Sequence, residues 1–186
     1  MKNIILASGS PRRRELLTLG GVDFTVKTAD TDEIVSPDLA PDETVKILSK
    51  RKALVVAELC PDSIVIGADT VVAVDDKILG KPKDRGEAFS MLSSLSGRSH
   101  FVYTGVFITD GAKEISFCEK TEVEFYELTD GEIESYIATG DCFDKAGGYG
   151  IQTNGCTLVK RINGDYFNVV GLPLAETVRK LKLFDY

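Results

Sequence analysis

Residues 64–74 read IVIGADTVVAV. Ten of these eleven positions are apolar, Gly or Thr, and the remaining one is Asp69. Ser63–Ala68 has the length and β-branched content of a buried strand, and Val71–Val74 either continues it or pairs with it. A carboxylate in such a run lies at the edge of a core, where it needs a cation, a metal or several hydrogen-bond donors. Asp69 is therefore either a structural residue capping the next turn or a metal ligand or general base.

On the N-terminal side, Lys2–Ala7 is predicted to be another buried strand. The opening MKNIILASGS carries one lysine and a short apolar stretch, but polar residues, Pro11 and three arginines follow. That reads as a first strand and not as a secretion signal. Ser10 before Pro11 marks a helix start, with Ser as cap and Pro at the first helical position. Gly20-Gly21 marks the helix end. Phe24–Thr28 alternates like a strand. Residues 30–43 form an acidic loop containing Pro37 and Pro41, and residues 43–59 a helix.

On the C-terminal side, Asp84 and Glu87 bracket a helix whose apolar face is Ala88, Met91, Leu92 and Leu95. Arg98–Thr109 and Ile115–Tyr126 are predicted strands joined at Asp110-Gly111. Thr129 with Glu132 opens a further helix that stops at Gly140, and the glycine-rich DKAGGYGIQ follows at 144–152. A second hairpin is predicted at Asn163-Gly164, and Pro173–Leu183 is the closing helix. Strand–helix alternation early and hairpins later predict an α/β protein with a mixed sheet.

The 186 residues favour one compact domain or two small lobes sharing a cleft, long enough to bury a core without disulfides. Cys60, Cys118, Cys142 and Cys156 form no CxxC pair and His100 is the single histidine, so a zinc site is not expected. Reduced thiols and the absence of a secretion signal predict a cytoplasmic protein. No apolar run reaches the length of a membrane span. The net charge of −7 argues against nucleic acid as partner, so any anion site must be a local basic cluster.

Residues 8–17, SGSPRRRELL, are such a cluster. They place Arg12, Arg13 and Arg14 in a first helical turn, where the helix dipole disfavours cations. Free backbone N–H groups, the Ser8 and Ser10 hydroxyls and the guanidinium forks would together grip phosphates. The plainer reading is a solvated basic turn, and the strand–Ser–Pro–helix context favours the phosphate site. The glycine spacing of a Walker A loop is absent. In the 43–59 helix, Lys52 falls in the middle of the stripe Val45, Leu48, Val56 and Leu59. A lysine there either snorkels to the surface or meets a buried anion, and geometry leaves the two even. Lys81, between Gly80 and Pro82, sits on a stiff turn. Asp30, Asp32 and Glu33 offer oxygen ligands suited to Mg²⁺ or Mn²⁺, although for Asp32 and Asp38 a solvated loop is preferred.

In order along the chain, ILASGSPRR, the acidic DE before a helix, RKA at 51–53, GADTVV, LGKP and DKAGGYGIQ resemble the Maf family of septum-formation inhibitors. The resemblance implies nucleoside triphosphate pyrophosphatase activity. It also implies a long mixed sheet with flanking helices around a deep cleft, similar to inosine triphosphate pyrophosphatases. It marks Asp69 as general base, metal ligand or both, and Glu33 as a metal-site carboxylate for a divalent cation. Ser8, Arg13, Lys52 and Lys81 match phosphate-binding positions. Arg12, Thr70 and Gln152 match the positions that mark the dTTP/UTP subgroup. Gly9 departs from the family's frequent Ala, a small change.

The implied partner is a nucleoside triphosphate, with neither nucleic acid nor membrane. Oligomeric state stays open, a homodimer included. A nucleotide-binding regulator of division without catalysis is the rival reading. A buried Asp together with a separate metal-type Glu favours catalysis, since a sensor needs only the basic groups.

Overall fold

The computed structural model describes residues 2–36 and 38–184, so the loop proline Pro37 lies outside them. Seven strands form one mixed sheet: β1 (Asn3–Leu6), β2 (Thr25–Val26), β3 (Ser63–Val74), β4 (Lys77–Leu79), β5 (Ser99–Thr109), β6 (Glu114–Phe125) and β7 (Val159–Asn163). The order is β2-β1-β3-β5-β6-β7, with β4 on β3. β1 runs parallel to β2 and β3, whereas the β3–β4 and β6–β7 pairs are antiparallel. The helices are α1 (Pro11–Leu19), α2 (Pro41–Leu59), α3 (Arg85–Leu95), α4 (Asp130–Ala138), α5 (Tyr166–Val170) and α6 (Leu174–Leu181). None is long and apolar enough to cross a membrane. The chain divides into two compact units: Met1–Thr70, Thr104–Glu119 and Gly171–Tyr186 in the first, Val71–Tyr103 and Lys120–Val170 in the second.

In the first unit, Ile5, Ala7, Ala53, Val56, Val65 and Phe107 pack into one buried cluster. The residues flanking Asp69 prove to be one uninterrupted strand, β3. Helix α2 lies so close to it that a β-carbon on Gly67 would collide with the Ser49 carbonyl and sit 2.8 Å from Ala53 N. Gly105 of β5 is pressed in the same way against the Val45 carbonyl. The α2 contact therefore runs through Val45, Leu48, Ser49, Ala53 and Val56. Leu59, predicted to belong to that stripe, is exposed, because the closest approach occurs through the small residues nearer the middle of the helix. The strand predicted at Phe24–Thr28 shortens to Thr25–Val26 and is exposed, with pairing to β1 alone.

The second unit closes around Val72, Leu92, Phe125, Ile133 and Tyr149. Thr129 and Glu132 form the predicted reciprocal capping box of α4. At α3 the Asp84 carboxylate accepts from Glu87 N, but Glu87 reaches Lys83 N, one residue further upstream than a capping box would take it. The hairpin predicted at Asn163-Gly164 does not form, and the chain enters α5 instead of a strand. Side-chain hydrogen bonds explain the difference. Thr121 Oγ1 donates to Asp165 O at 3.0 Å, and Asn168 Nδ2 donates to Val102 O and Thr121 Oγ1 at 3.0 and 2.9 Å. These bonds tie residues 165–168 down where a second strand would have had to leave.

His100 is fully buried in this unit, its Nε2 2.7 Å from the Tyr149 hydroxyl and its ring edge-on to Phe125 and Tyr149. Burial lowers its pKa from 6.5 to about 4. The folded state thus holds a neutral imidazole. Its contribution is complete above pH 6.5 and disappears as pH falls through about 4. Relative to His100→Gln, which keeps a donor near the Nε2 position but cannot titrate, the native chain should lose about 3 kcal/mol of unfolding free energy between neutral pH and pH 4. Parallel urea-unfolding profiles of the two proteins across that range would exclude this role for His100.

Candidate functional site

Successive residues of β3 face opposite sides of the sheet. Gly67 faces α2, so Asp69 does too, and its carboxylate meets the one lysine of the α2 contact face. Lys52 Nζ is 2.6 Å from Asp69 Oδ1 and 2.7 Å from Glu33 Oε1. Asp69 and Lys52 are 13% and 19% exposed, Glu33 67%, so the ion pair is embedded at one end and open at the other. The sequence left Lys52 between snorkelling and meeting an anion, and it meets two carboxylates. Its neighbour Arg51, which sequence reasoning did not single out, donates from one nitrogen to the carbonyls of Asp32 and Ile34 at 3.2 and 2.7 Å. Adjacent residues of α2 thus hold the Glu33 side chain and the backbone on either side of it. Asp32 is exposed on its loop, as expected, and accepts from Ile34 N at 2.8 Å.

Thr70 points to the other side of β3 and meets the start of α1. Arg13 donates from Nε to Gly171 O at 2.8 Å, from one terminal nitrogen to Ser8 Oγ at 3.1 Å and from the other to Thr70 Oγ1 at 2.9 Å. Burial draws its pKa below the ordinary value, and the Asp69 charge works in the opposite direction. Ser8 is buried and accepts from both Ser10 N and Arg13, so what its hydroxyl has left to offer is its own hydrogen. Ser10 serves the helix, its Oγ accepting from Arg13 N at 3.5 Å. Thr104 and the Gly171 carbonyl complete this cluster, the former 2.9 Å from Thr70 Oγ1. Both were missed. A buried threonine inside the apolar β5 run was the only signal for Thr104, and the Gly171 carbonyl left none. Arg12 lies beside Arg13 in the same turn, half-buried.

The first unit therefore brings together Ser8, Arg13, Glu33, Lys52, Asp69 and Thr70. Lys81 and Gln152 belong to the second unit, both exposed. The turns carrying them are joined there: Gly147 N donates to Gly80 O at 2.9 Å. Gly147 has φ 69°, and a β-carbon on it would lie 2.9 Å from Val72, so the DKAGG turn rests directly on β3.

Asp69 and Glu33 converge on a single cationic point and present hard oxygen donors, which fits a divalent cation. Among the described residues no three or more His, Cys, Asp or Glu side chains converge on such a point. The protein would supply a minority of the ligands, as Mg²⁺ or Mn²⁺ accepts when water and phosphate oxygens supply the rest.

Comparison with known proteins adds the following. The family described as Maf-like protein matches residues 3–184. A Bacillus cytotoxicus protein described as dTTP/UTP pyrophosphatase is 53% identical over 185 residues, spanning 100% of this chain and 97% of that protein. Bacillus cereus and Bacillus pumilus proteins of the same description are 51% and 50% identical, over 100% and 99% of this chain and 97% of each relative. Among solved structures, the Staphylococcus aureus Ham1 protein matches with a TM-score of 0.49 and 16% identity, over 67% of this chain and 72% of that one.

Arg13 holds three acceptors in three directions, which a lysine ammonium on a flexible stem does not reproduce. Arg13→Lys should therefore destabilise the fold by roughly 1–3 kcal/mol despite the unchanged charge. A melting temperature equal to that of the parent would show that the guanidinium is not structural.

Proposed function

The chain belongs to the Maf family, and from that premise we propose that it hydrolyses dTTP and UTP to the nucleoside monophosphate and pyrophosphate. The observation that carries this reading is the convergence of Asp69 and Glu33 on Lys52. A carboxylate able to take a proton, a second one able to hold a cation and an ammonium able to meet phosphate charge are the minimum set for this reaction. The relatives of about half identity that span the whole chain carry that activity in their description. By the motif resemblance, Arg12, Thr70 and Gln152 match the positions that mark the subgroup.

In the proposed mechanism, Asp69 accepts the proton of a water whose oxygen forms the new bond to the α-phosphorus. The bond that breaks joins this phosphorus to the oxygen bridging to the β-phosphate, and pyrophosphate leaves. Lys52 and Lys81 stabilise charge on the phosphate oxygens, usually the largest catalytic contribution. Ser8 donates its hydroxyl hydrogen, and Arg13 keeps Ser8 and Thr70 in place while adding positive charge. Glu33 and Asp69 would hold a divalent cation, Mg²⁺ or Mn²⁺, which would supply charge neutralisation of the triphosphate. Gln152 offers an amide N–H and a carbonyl oxygen, complementary to O4 and N3–H, the edge that uracil and thymine share. Cys60, Cys118, Cys142 and Cys156 are free thiols, in keeping with a cytoplasmic setting.

Pyrophosphate release should be measured on dTTP, UTP, CTP, ATP and GTP with Mg²⁺ or Mn²⁺. dTTP and UTP are expected to be similar and well above CTP, with the purine nucleotides poorest. Chelation should abolish turnover, and either cation should restore it. Comparable kcat/KM for UTP and GTP would remove the base assignment and leave pyrophosphatase activity standing. Asp69→Asn should retain the fold and nucleotide binding while slowing turnover by roughly 10²–10⁴-fold, the usual worth of a placed general base. Near-normal turnover in that variant would take Asp69 out of the mechanism.

A further inference from the structure

The second unit contains a second buried lysine–carboxylate network, which none of the roles above uses. Lys145 is 8% exposed, and its ammonium donates to Asp141 O at 2.7 Å, Asp141 Oδ1 at 2.8 Å and Asp144 Oδ1 at 2.6 Å. All three ammonium hydrogens are thereby engaged. The other oxygen of Asp141 accepts from the Tyr136 hydroxyl at 3.0 Å and from Thr153 Oγ1 at 2.5 Å. Tyr136 Oη in turn accepts from Gly150 N at 3.3 Å. Thr153 Oγ1 also lies 3.2 Å from Gly150 O, but a hydroxyl has one hydrogen, and the shorter contact is to the carboxylate.

These bonds bracket Gln152. Gly150, two positions before it, is tied through Tyr136 to Asp141, and Thr153, the next residue, is tied to Asp141 directly. The packing is equally tight. A β-carbon on Gly150 would collide with the Lys145 side chain and lie 2.8 Å from Thr153 Oγ1, and one on Gly155 would lie 2.7 Å from Gly150 O. Gln152 is exposed, as Thr153 is, on a turn whose two flanks are held by these bonds.

A buried ion pair of this kind is a poor device for stability as such, because desolvation offsets much of the attraction. It is a good device for holding a group still. A glutamine carried on a turn that can shift can meet the edge of cytosine as well as that of uracil. Discrimination requires its attachment to be rigid before the base arrives. We propose that Asp141, acting through Thr153 and Tyr136 and neutralised by Lys145, is the positioning residue that fixes Gln152 for reading the nucleotide base. This rests on the assignment of Gln152 as the base reader.

The test is the ratio of kcat/KM for UTP to that for CTP. Measured on one preparation, this ratio is independent of the fraction of protein that is folded, so a merely destabilised variant leaves it unchanged. Gln152→Ala should flatten the ratio to within a few-fold of one. Thr153→Val, which removes the hydroxyl and keeps the shape, should lower it by roughly three- to tenfold, the worth of one hydrogen bond. The loss should appear mainly in KM for UTP, and Thr153→Ser should restore the ratio. Asp141→Asn should act in the same direction, and should that variant not fold, Thr153→Val decides alone. Introduced into Gln152→Ala, Thr153→Val should change the ratio no further. A native ratio in Gln152→Ala would overturn the assignment of Gln152 itself. A flattened ratio in Gln152→Ala with a native ratio in Thr153→Val would overturn the positioning role alone.

Discussion

Helix α2 can lie against β3 and β5 because Gly67 and Gly105 lack a β-carbon at the points of closest approach. Any side chain there would push the helix outward by a distance comparable to an atomic radius, and everything that α2 delivers would move with it. What it delivers is Lys52, whose ammonium reaches Asp69 at 2.6 Å, and Arg51, which holds the segment carrying Glu33. A lysine in mid-stripe of a buried helix face is tolerable only if its charge has somewhere to go. The close approach places a carboxylate within reach, and the carboxylate in turn is tolerable in an apolar strand because the lysine meets it. Each half of the pair makes the other permissible, and the glycines set the distance at which they meet.

The two lysine networks of the molecule illustrate how local geometry separates a working charge from a structural one. Lys145 donates to Asp141 and Asp144, at most four positions away in sequence, and its three hydrogens are consumed. Such a lysine belongs to its turn. Lys52, on α2, draws its partners from β3 and from the loop carrying Glu33, and Glu33 is largely exposed. Asp144, at 62%, is nearly as exposed as Glu33, at 67%, so the difference lies in span: Lys52 joins elements distant in sequence, whereas Lys145 closes on its own turn. The chemistry assigned to Lys52 sits where separate elements meet, and the base reading assigned to Gln152 rests on a turn closed on itself.

Much of this was legible in the sequence because the signals are local. Ser10-Pro11, Thr129 with Glu132 and Asp110-Gly111 act within one turn, and each appears where expected. The position of Lys52 followed from helical periodicity, though its partner did not. The failures have a common origin in tertiary contact. Leu59 obeys the helical period but lies beyond the reach of the close contact at Gly67. Asn163-Gly164 is good hairpin chemistry, overridden by Thr121 and Asn168, whose hydrogen bonds join residues 44 and 47 positions apart. Thr104 and Gly171 act through a hydroxyl pair and a carbonyl, neither of which has a sequence pattern, and Arg51, although it stands in the RKA motif, acts on a loop backbone that the motif does not reveal. The motif resemblance supplied Gln152 but not Asp141, because the residue that touches a ligand is visible in a motif while its support is visible only in packing.

The three consecutive arginines show how far a sequence argument can be right for an incomplete reason. Cations in the first turn of a helix oppose its dipole, so their presence called for an anion. For Arg13 part of the compensation lies inside the protein: the Gly171 carbonyl and the Ser8 and Thr70 hydroxyls turn oxygen atoms toward the guanidinium, and Asp69 exerts the larger of the opposing carboxylate effects on it, ahead of Glu33. Three of its five N–H groups are thereby committed before any ligand arrives. An arginine held so firmly contributes a positive potential more than a movable grip, and it orients Ser8 so that the hydroxyl hydrogen is what remains to be given. In the proposed reading, adjacent residues of one helical turn divide the work, with Arg13 as the floor of the anion site and Arg12, its half-buried neighbour, at the position that distinguishes one nucleotide subgroup from another.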